Sequence, residues 1–188
     1  MSGRYMAYVG SYSYTGKAKG ITVFDVDVEK GTFKERCEME VNNSSYVIAS
    51  SDGKTLYSIA DEGVVSFRIL QNGALARLNS APIRGMRGCH LCSDLEDKFI
   101  FVSGYHDGKT TILSLNKDGS VGGIVDGVYD KGYGSVAERN FRPHVTCTRR
   151  MPDNKYVLSV DNGVDQVKIY RFNDKEQKMV QVDAIRCD

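Results

Sequence analysis

One pattern of short apolar runs and tight turns recurs three times between residue 44 and the last residues of the chain. In the first copy Tyr46-Val-Ile-Ala leads to the turn Ser51-Asp-Gly-Lys54 and to Thr55-Leu-Tyr-Ser-Ile59. Gly63 then precedes Val64-Val-Ser-Phe67-Arg-Ile69, the turn Gln71-Asn-Gly73 and Ala74-Leu-Ala-Arg-Leu78. Asp-Gly and Asn-Gly supply the positive-φ positions that tight β-turns require. The second copy starts at His90-Leu-Cys, turns at Leu95-Glu-Asp-Lys98 and ends near Val128; the third starts at His144-Val-Thr and turns at Pro152-Asp-Asn-Lys155. The turn lysines Lys54 and Lys98 stand 44 residues apart, Lys98 and Lys155 57, and the excess is a Gly/Tyr-rich insert at 129–142. A four-strand unit of about 40–50 residues has the period of a propeller blade. Such a sheet cannot bury both faces alone, so copies must stack on one another.

The opening segment carries three strand-like runs, Tyr5–Ser11, Ile21–Val28 and Thr32–Val41, and lacks a counterpart of the first strand of the repeat. Helical periodicity is nearly absent, so the fold class is all-β. The expected architecture is one partial β-propeller domain over 1–188. It has about four blades of antiparallel strands (5–42, 43–83, 84–130 and 142–188, with the insert at 129–142). Its ring is expected to be incomplete, and a homodimer or a complementing chain is the expected means of closing it.

The balance of 25 basic against 24 acidic residues leaves a net charge of +1, with no footprint for nucleic acid. Five cysteines without a compact framework read as reduced thiols. The N-terminus lacks a basic-then-apolar leader, and no apolar run reaches the roughly 18–20 residues needed to cross a bilayer. A cytoplasmic protein with no membrane partner is expected.

Two local arginine clusters stand out against this neutral background. Arg84-Gly-Met-Arg87-Gly-Cys-His90 and Arg139-Asn-Phe-Arg142-Pro-His144 each place two arginines three apart and then a histidine where a strand begins. We expect them at the same place in successive blades, sharing one anionic site. The plainer alternative pairs these arginines with Glu138 or Asp94 and satisfies the histidines with backbone carbonyls. Other matches are weaker. Ser51-Asp-Gly-Lys54 is a hairpin turn with counterparts at 95–98 and 152–155 rather than a Ser-x-x-Lys nucleophile. Asp25-Val-Asp-Val alternates as a strand rather than a calcium loop. Cys89-His-Leu-Cys92 lacks the second ligand pair of a zinc site.

The chain resembles the lactonase-type seven-bladed β-propellers, which include propeller-type 6-phosphogluconolactonases and the fungal 3-carboxy-cis,cis-muconate lactonising enzyme. The matching residues are Tyr8-Val-Gly-Ser-Tyr, Gly20-Ile-Thr-Val-Phe, Ser51-Asp-Gly-Lys-Thr-Leu-Tyr, Cys89-His-Leu, Gly104-Tyr-His-Asp-Gly108, and Glu138-Arg139 with Pro143-His144. They run through the whole chain but match about the first half of that family's propeller. The family often has His-x-His after the proline; here the second position is Thr146.

The resemblance implies hydrolysis of a small anionic lactone, 6-phosphogluconolactone above others, without metal or organic cofactor. Muconate cycloisomerisation and a non-catalytic binding propeller or inactive fragment are the alternatives. Lactone hydrolysis needs a base for water and donors for the developing oxyanion. Histidine suits the first role and the arginine fork the second. On that reading His144 is base or acid, Arg142 and Arg139 stabilise anion and oxyanion, and Glu138 orients them. Arg87 and His90 extend the pocket, and Tyr105 with His106 lines it, His106 reading more simply as a solvent-facing turn residue.

Overall fold

The computed structural model describes residues 5–135 and 141–187. Four antiparallel sheets follow one another along the chain, each with its strands in sequence order. Blade 1 is β1 (Tyr5–Gly10), β2 (Gly20–Asp27) and β3 (Thr32–Glu40). Blade 2 is β4 (Val47–Ala49), β5 (Thr55–Ala60), β6 (Gly63–Ile69) and β7 (Leu75–Ala81). Blade 3 is β8 (His90–Ser93), β9 (Phe99–Gly104), β10 (Lys109–Leu115) and β11 (Val121–Tyr129). Blade 4 is β12 (Val145–Arg150), β13 (Tyr156–Asp161), β14 (Gln166–Asn173) and β15 (Lys178–Arg186). The all-β propeller expected from the repeat is what the chain forms, and among the described residues no helix is long and apolar enough to cross a membrane.

Blade 1 has three strands among the described residues, and two glycines show which positions of a four-stranded blade they fill. Gly20 and Gly63 open β2 and β6 at φ 130° and 131°, and a Cβ on either would strike a backbone carbonyl, of Val41 or Ala81, at 2.3 Å. Only glycine tolerates that conformation and that approach. The shared signature makes β2 the counterpart of β6 and β1 that of β5. Among the described residues, the strand position without a counterpart in blade 1 is therefore the innermost one.

Burial follows position within a blade. The second strands β5 and β9 are buried along their whole length, because blades cover both of their faces. Three apolar clusters fill the three interfaces. Ile21 and Val23 meet Leu56 and Phe67 between blades 1 and 2. Tyr57, Ile59 and Val64 meet Leu91, Ile100 and Val102 between blades 2 and 3. Phe99, Phe101 and Ile112 meet Val157, Tyr170 and Phe172 between blades 3 and 4. Each such side chain removed from water contributes about 1.5–3 kcal/mol. Stacking of blades, rather than any single sheet, is the source of stability. The last interface also carries polar contacts that must be satisfied internally: buried Ser103 donates to Thr148 Oγ1 at 2.8 Å.

The insert leaves blade 3 at Asp130, whose N–H donates to Gly108 O at 2.8 Å. It then crosses to blade 4, where the N–H and hydroxyl of Ser135 both donate to Asp165 Oδ2, at 2.9 and 2.8 Å. The chain re-enters as Phe141-Arg142-Pro143-His144 and joins β12. A register shift between Val145 and Cys147 puts an extra residue into that strand.

Candidate active site

Proline 143 sits where two glycines allow backbones to touch. A Cβ on Gly108 would lie 2.6 Å from Pro143 Cβ, and one on Gly163 would lie 2.0 Å from Arg142 O and 2.6 Å from His144 N. Gly108 belongs to the β9–β10 turn of blade 3 and Gly163 to the β13–β14 turn of blade 4. The segment carrying Arg142 and His144 is thus clamped from both blades.

His144 is buried, and its ring has two partners from blade 3, both in Tyr105. Its Nδ1 lies 2.7 Å from the carbonyl oxygen of Tyr105, and the two rings stack at 4.3 Å with 17° between planes. A carbonyl only accepts, so Nδ1 carries the proton. In the neutral imidazole the lone pair is then on Nε2. Among the described residues nothing donates to that nitrogen. The backbone N–H of His144 is also fixed: it donates to Asp161 Oδ1 at 2.8 Å.

Arg142 is exposed, with its guanidinium 5.6 Å from the Phe141 ring and no carboxylate partner among the described residues. An unpaired guanidinium two residues from a histidine with a free ring nitrogen is ready to meet an anion. Tyr105 meets His144 through its carbonyl and its ring. His106 is exposed and touches the edge of the Tyr105 ring at 5.5 Å. Glu138 and Arg139 lie outside the described residues.

The two arginine clusters do not occupy equivalent places. The hairpin turns of blades 3 and 4 close with Asp94 N–H on Phe99 O and Met151 N–H on Tyr156 O. His90 stands four residues ahead of Asp94, and His144 seven ahead of Met151. The bulge in β12 absorbs one of these three residues, and the other two lift His144 off the strand into the loop. His90 meets β12 deeper, at Cys147 and Thr148, roughly 10 Å further along at the ordinary strand rise.

His90 has no ring nitrogen to spare. Thr148 N–H points at its Nδ1 at 3.5 Å, so its proton is on Nε2, which faces Cys147 Sγ at 3.6 Å. The Tyr46 ring lies 4.7 Å away. Burial, and secondarily the nearby Arg149 guanidinium, pushes its pKa down. It packs in the interior between β8, β12 and Tyr46. Arg87 is engaged as well. Its guanidinium pairs with Asp61 Oδ1 at 2.9 Å and lies over the Tyr12 ring at 5.0 Å. The pairing with Asp94 considered from sequence does not form: Asp94 Oδ1 caps its own turn by accepting from Lys98 N and Phe99 N. Cys89 and Cys92 are free thiols. Among the described residues no three His, Cys, Asp or Glu side chains are placed to hold a metal.

A recess of about 520 Å³ lies elsewhere, between β7 and β11. Its buried cation, Lys109, is committed to the carbonyls of Ile83 and Arg84, each at 3.1 Å.

Sequence reasoning missed Asp161, Gly163 and Lys168. A signal for Lys168 was present. In Gln166-Val-Lys-Ile-Tyr-Arg-Phe172 it has the parity of Tyr170 and Phe172, the core-facing side of β14, and strand alternation alone places it inside. It is 3% exposed.

Comparison with known proteins agrees with this architecture. The curated 6-phosphogluconolactonase of Bacillus subtilis is 32% identical over 177 residues, covering 91% of this chain and 50% of that protein. A Bacteroides fragilis crystal structure, described as a candidate 6-phosphogluconolactonase, superposes with a TM-score of 0.89 at 31% identity, over 98% of this chain and 55% of that one. The periplasmic gluconolactonase of Pseudomonas aeruginosa shares the fold at 22% identity, with a TM-score of 0.89 over 98% of this chain and 55% of that one. The chain thus spans about half the length of the curated relatives it matches. The family model described as lactonase, 7-bladed beta-propeller, matches residues 6–188, and the chain belongs to that family.

Proposed function

We propose that this chain supplies one wall of a site that hydrolyses a sugar lactone, with 6-phosphogluconolactone the favoured substrate and the product 6-phosphogluconate. The observation that carries the reading is a His144 ring nitrogen left free by a fixed tautomer, two residues along the chain from the Arg142 guanidinium, which has no carboxylate partner among the described residues. Water positioned at His144 Nε2 gives up a proton to it while its oxygen attacks the lactone carbonyl carbon. The resulting oxyanion is stabilised by a guanidinium donor, as preorganised charges stabilise such intermediates. The tetrahedral species collapses by breaking the bond from the carbonyl carbon to the ring oxygen. That oxygen takes the proton back from the imidazolium, leaving a hydroxyl and a carboxylic acid that ionises. Stacking on Tyr105 keeps the ring in one orientation through both transfers. Arg142 would hold the substrate's phosphate or the oxyanion, a role proposed also for Arg139, with Glu138 proposed to orient the arginines. The B. subtilis relative supports the substrate class.

The test is lactone hydrolysis, followed by proton release, in the wild-type chain and in His144→Ala. General-base catalysis of this kind is worth about 10²–10⁴-fold, and a loss of that size is expected. Undiminished turnover in His144→Ala overturns the assignment. So does a cooperatively folded wild-type chain that leaves the lactone at its uncatalysed rate.

A further inference from the structure

Behind His144 lies a group of buried charges that the hydrolytic reading does not use. Asp161 ends β13 and is 1% exposed. Its Oδ1 accepts two backbone N–H groups, from His144 at 2.8 Å and from Gly163 at 2.9 Å. Its Oδ2 makes no hydrogen bond and faces Lys168 Nζ at 4.0 Å. Lys168 in turn lies 3.0 Å from Asp130 Oδ2 and donates to Lys131 O at 3.5 Å. Asp130 Oδ1 accepts from the buried Tyr170 hydroxyl at 2.8 Å. One ammonium thus faces two carboxyl groups in the interior, and the two carboxyl groups face each other.

Interior ions of this kind are costly: each loses several kcal/mol of hydration, and replacing such a set with apolar side chains is often neutral or stabilising. Stability alone gives little reason for them. Their placement gives a better one. The chain of contacts closes on itself: Asp130 to Lys168, Lys168 to Asp161, Asp161 to the His144 backbone, His144 Nδ1 to Tyr105, and through the same turn from Gly108 O back to Asp130 N–H. It links blades 3 and 4 and fixes His144 at two points, the backbone N–H and the ring.

We propose that Asp161 is a positioning residue for His144 and that Lys168 and Asp130 act through it, holding the histidine and the root of the insert in one register across the blade 3–blade 4 interface. The catalytic half of this proposal rests on the lactonase reading; the geometric half does not. Asp161 touches no substrate atom. It sets where the His144 Cα lies, as the Tyr105 carbonyl sets which way the ring turns. Misplacement of a catalytic group by about 1 Å is enough to cost two orders of magnitude in rate.

Three variants separate this from a merely structural role. Asp161→Asn keeps an oxygen acceptor for both N–H groups, Asp161→Ala removes it, and Lys168→Met removes the cation that faces it. Two readouts are taken on each folded variant: kcat and KM for lactone hydrolysis, and the ¹⁵N–¹H signals of His144, one of three histidines in the chain, assigned through His144→Gln. Asp161→Ala is expected to lower kcat about ten-fold or more with KM changed by less than about three-fold, and to move the His144 signals. Asp161→Asn is expected to restore most of kcat and the wild-type signals. Lys168→Met should fall between them and combine with Asp161→Ala by less than the product of the two effects. If folded Asp161→Ala keeps the wild-type kcat and His144 signals, the proposal is overturned. If His144→Gln itself leaves turnover intact, the lactonase reading fails, and the histidine signals alone still decide the positioning.

Discussion

His90 and His144 carry their ring protons on opposite nitrogens. In His144 the Tyr105 carbonyl takes the Nδ1 proton at 2.7 Å and leaves Nε2 free. In His90 the Thr148 amide occupies Nδ1 and the Nε2 proton faces the Cys147 sulfur. Two residues of the same kind near neighbouring blade entrances thereby differ in which ring nitrogen is left to accept a proton, with no difference in their intrinsic chemistry.

That difference can be read directly. Long-range ¹⁵N–¹H spectra at neutral pH should show His144 as the Nδ1–H tautomer and His90 as Nε2–H. His90→Gln should retain lactone turnover within about three-fold, whereas His144→Gln loses about 10²-fold or more. The same tautomer at both residues would contradict the assignment.

Gly163 should be irreplaceable for a reason of space. A Cβ there would lie 2.0 Å from Arg142 O and 2.6 Å from His144 N, so backbone must move. Gly163→Ala is expected to cost about 1–3 kcal/mol by denaturant titration and to take activity with it. Gly123, where an added Cβ meets nothing within 4 Å, is the control: Gly123→Ala should stay within about 0.5 kcal/mol of wild type or gain slightly.

Arg142 and Arg87 should behave differently as anion anchors. Among the described residues Arg142 has no carboxylate to leave, so Arg142→Ala should raise KM for a phosphorylated lactone by about ten-fold or more and leave an uncharged lactone little affected. Arg87 already pairs with Asp61 at 2.9 Å on a partly exposed surface, and such pairs contribute about 0–1 kcal/mol. Arg87→Ala should move KM by less than about three-fold. Steady-state kinetics on the two lactones decides between them, and equal losses for both arginines would argue for a shared pocket.

Acid should act on the fold through two groups of opposite sign. His90 has its pKa pushed down, first by burial and then by Arg149. Below about 6.5 the unfolded chain therefore takes a proton that the native chain refuses, and stability falls as pH drops through that window. Asp130 faces Asp161, Lys168 and Tyr170, and burial, then Asp161, pushes it up to about 6 from 3.8. The native chain takes that proton first, so this contribution is complete below 3.8 and is lost as pH rises through about 6. Urea midpoints measured from pH 4 to 7.5 should lose the acid-side fall in His90→Gln and the opposing gain in Asp130→Asn. A profile unchanged by either substitution would show that these groups do not set it.

How much of this was legible in the sequence depends on the range of the physics involved. The blades were, because each strand is short and each turn carries its own positive-φ residue, as at Gly53, Gly73 and Gly119. Local chemistry was enough. The histidines were legible as residues but not as places. A bulge between Val145 and Cys147 has no composition of its own, yet it helps lift His144 out of the His90 register. The Asp130–Lys168–Asp161 group joins residues up to 38 positions apart and could be seen only where strand parity turned a lysine toward the core. Arg87 looked available because Asp61, 26 positions earlier, belongs to a different blade.

The insert between blades 3 and 4 is held at both ends and by different means. At one end Asp130 is bonded to Gly108 and Lys168, and Ser135 to Asp165. At the other, Pro143 is wedged between Gly108 and Gly163. The place of His144 is therefore a property of the two blades together, fixed by one turn from each, and a change in either turn is felt at the histidine.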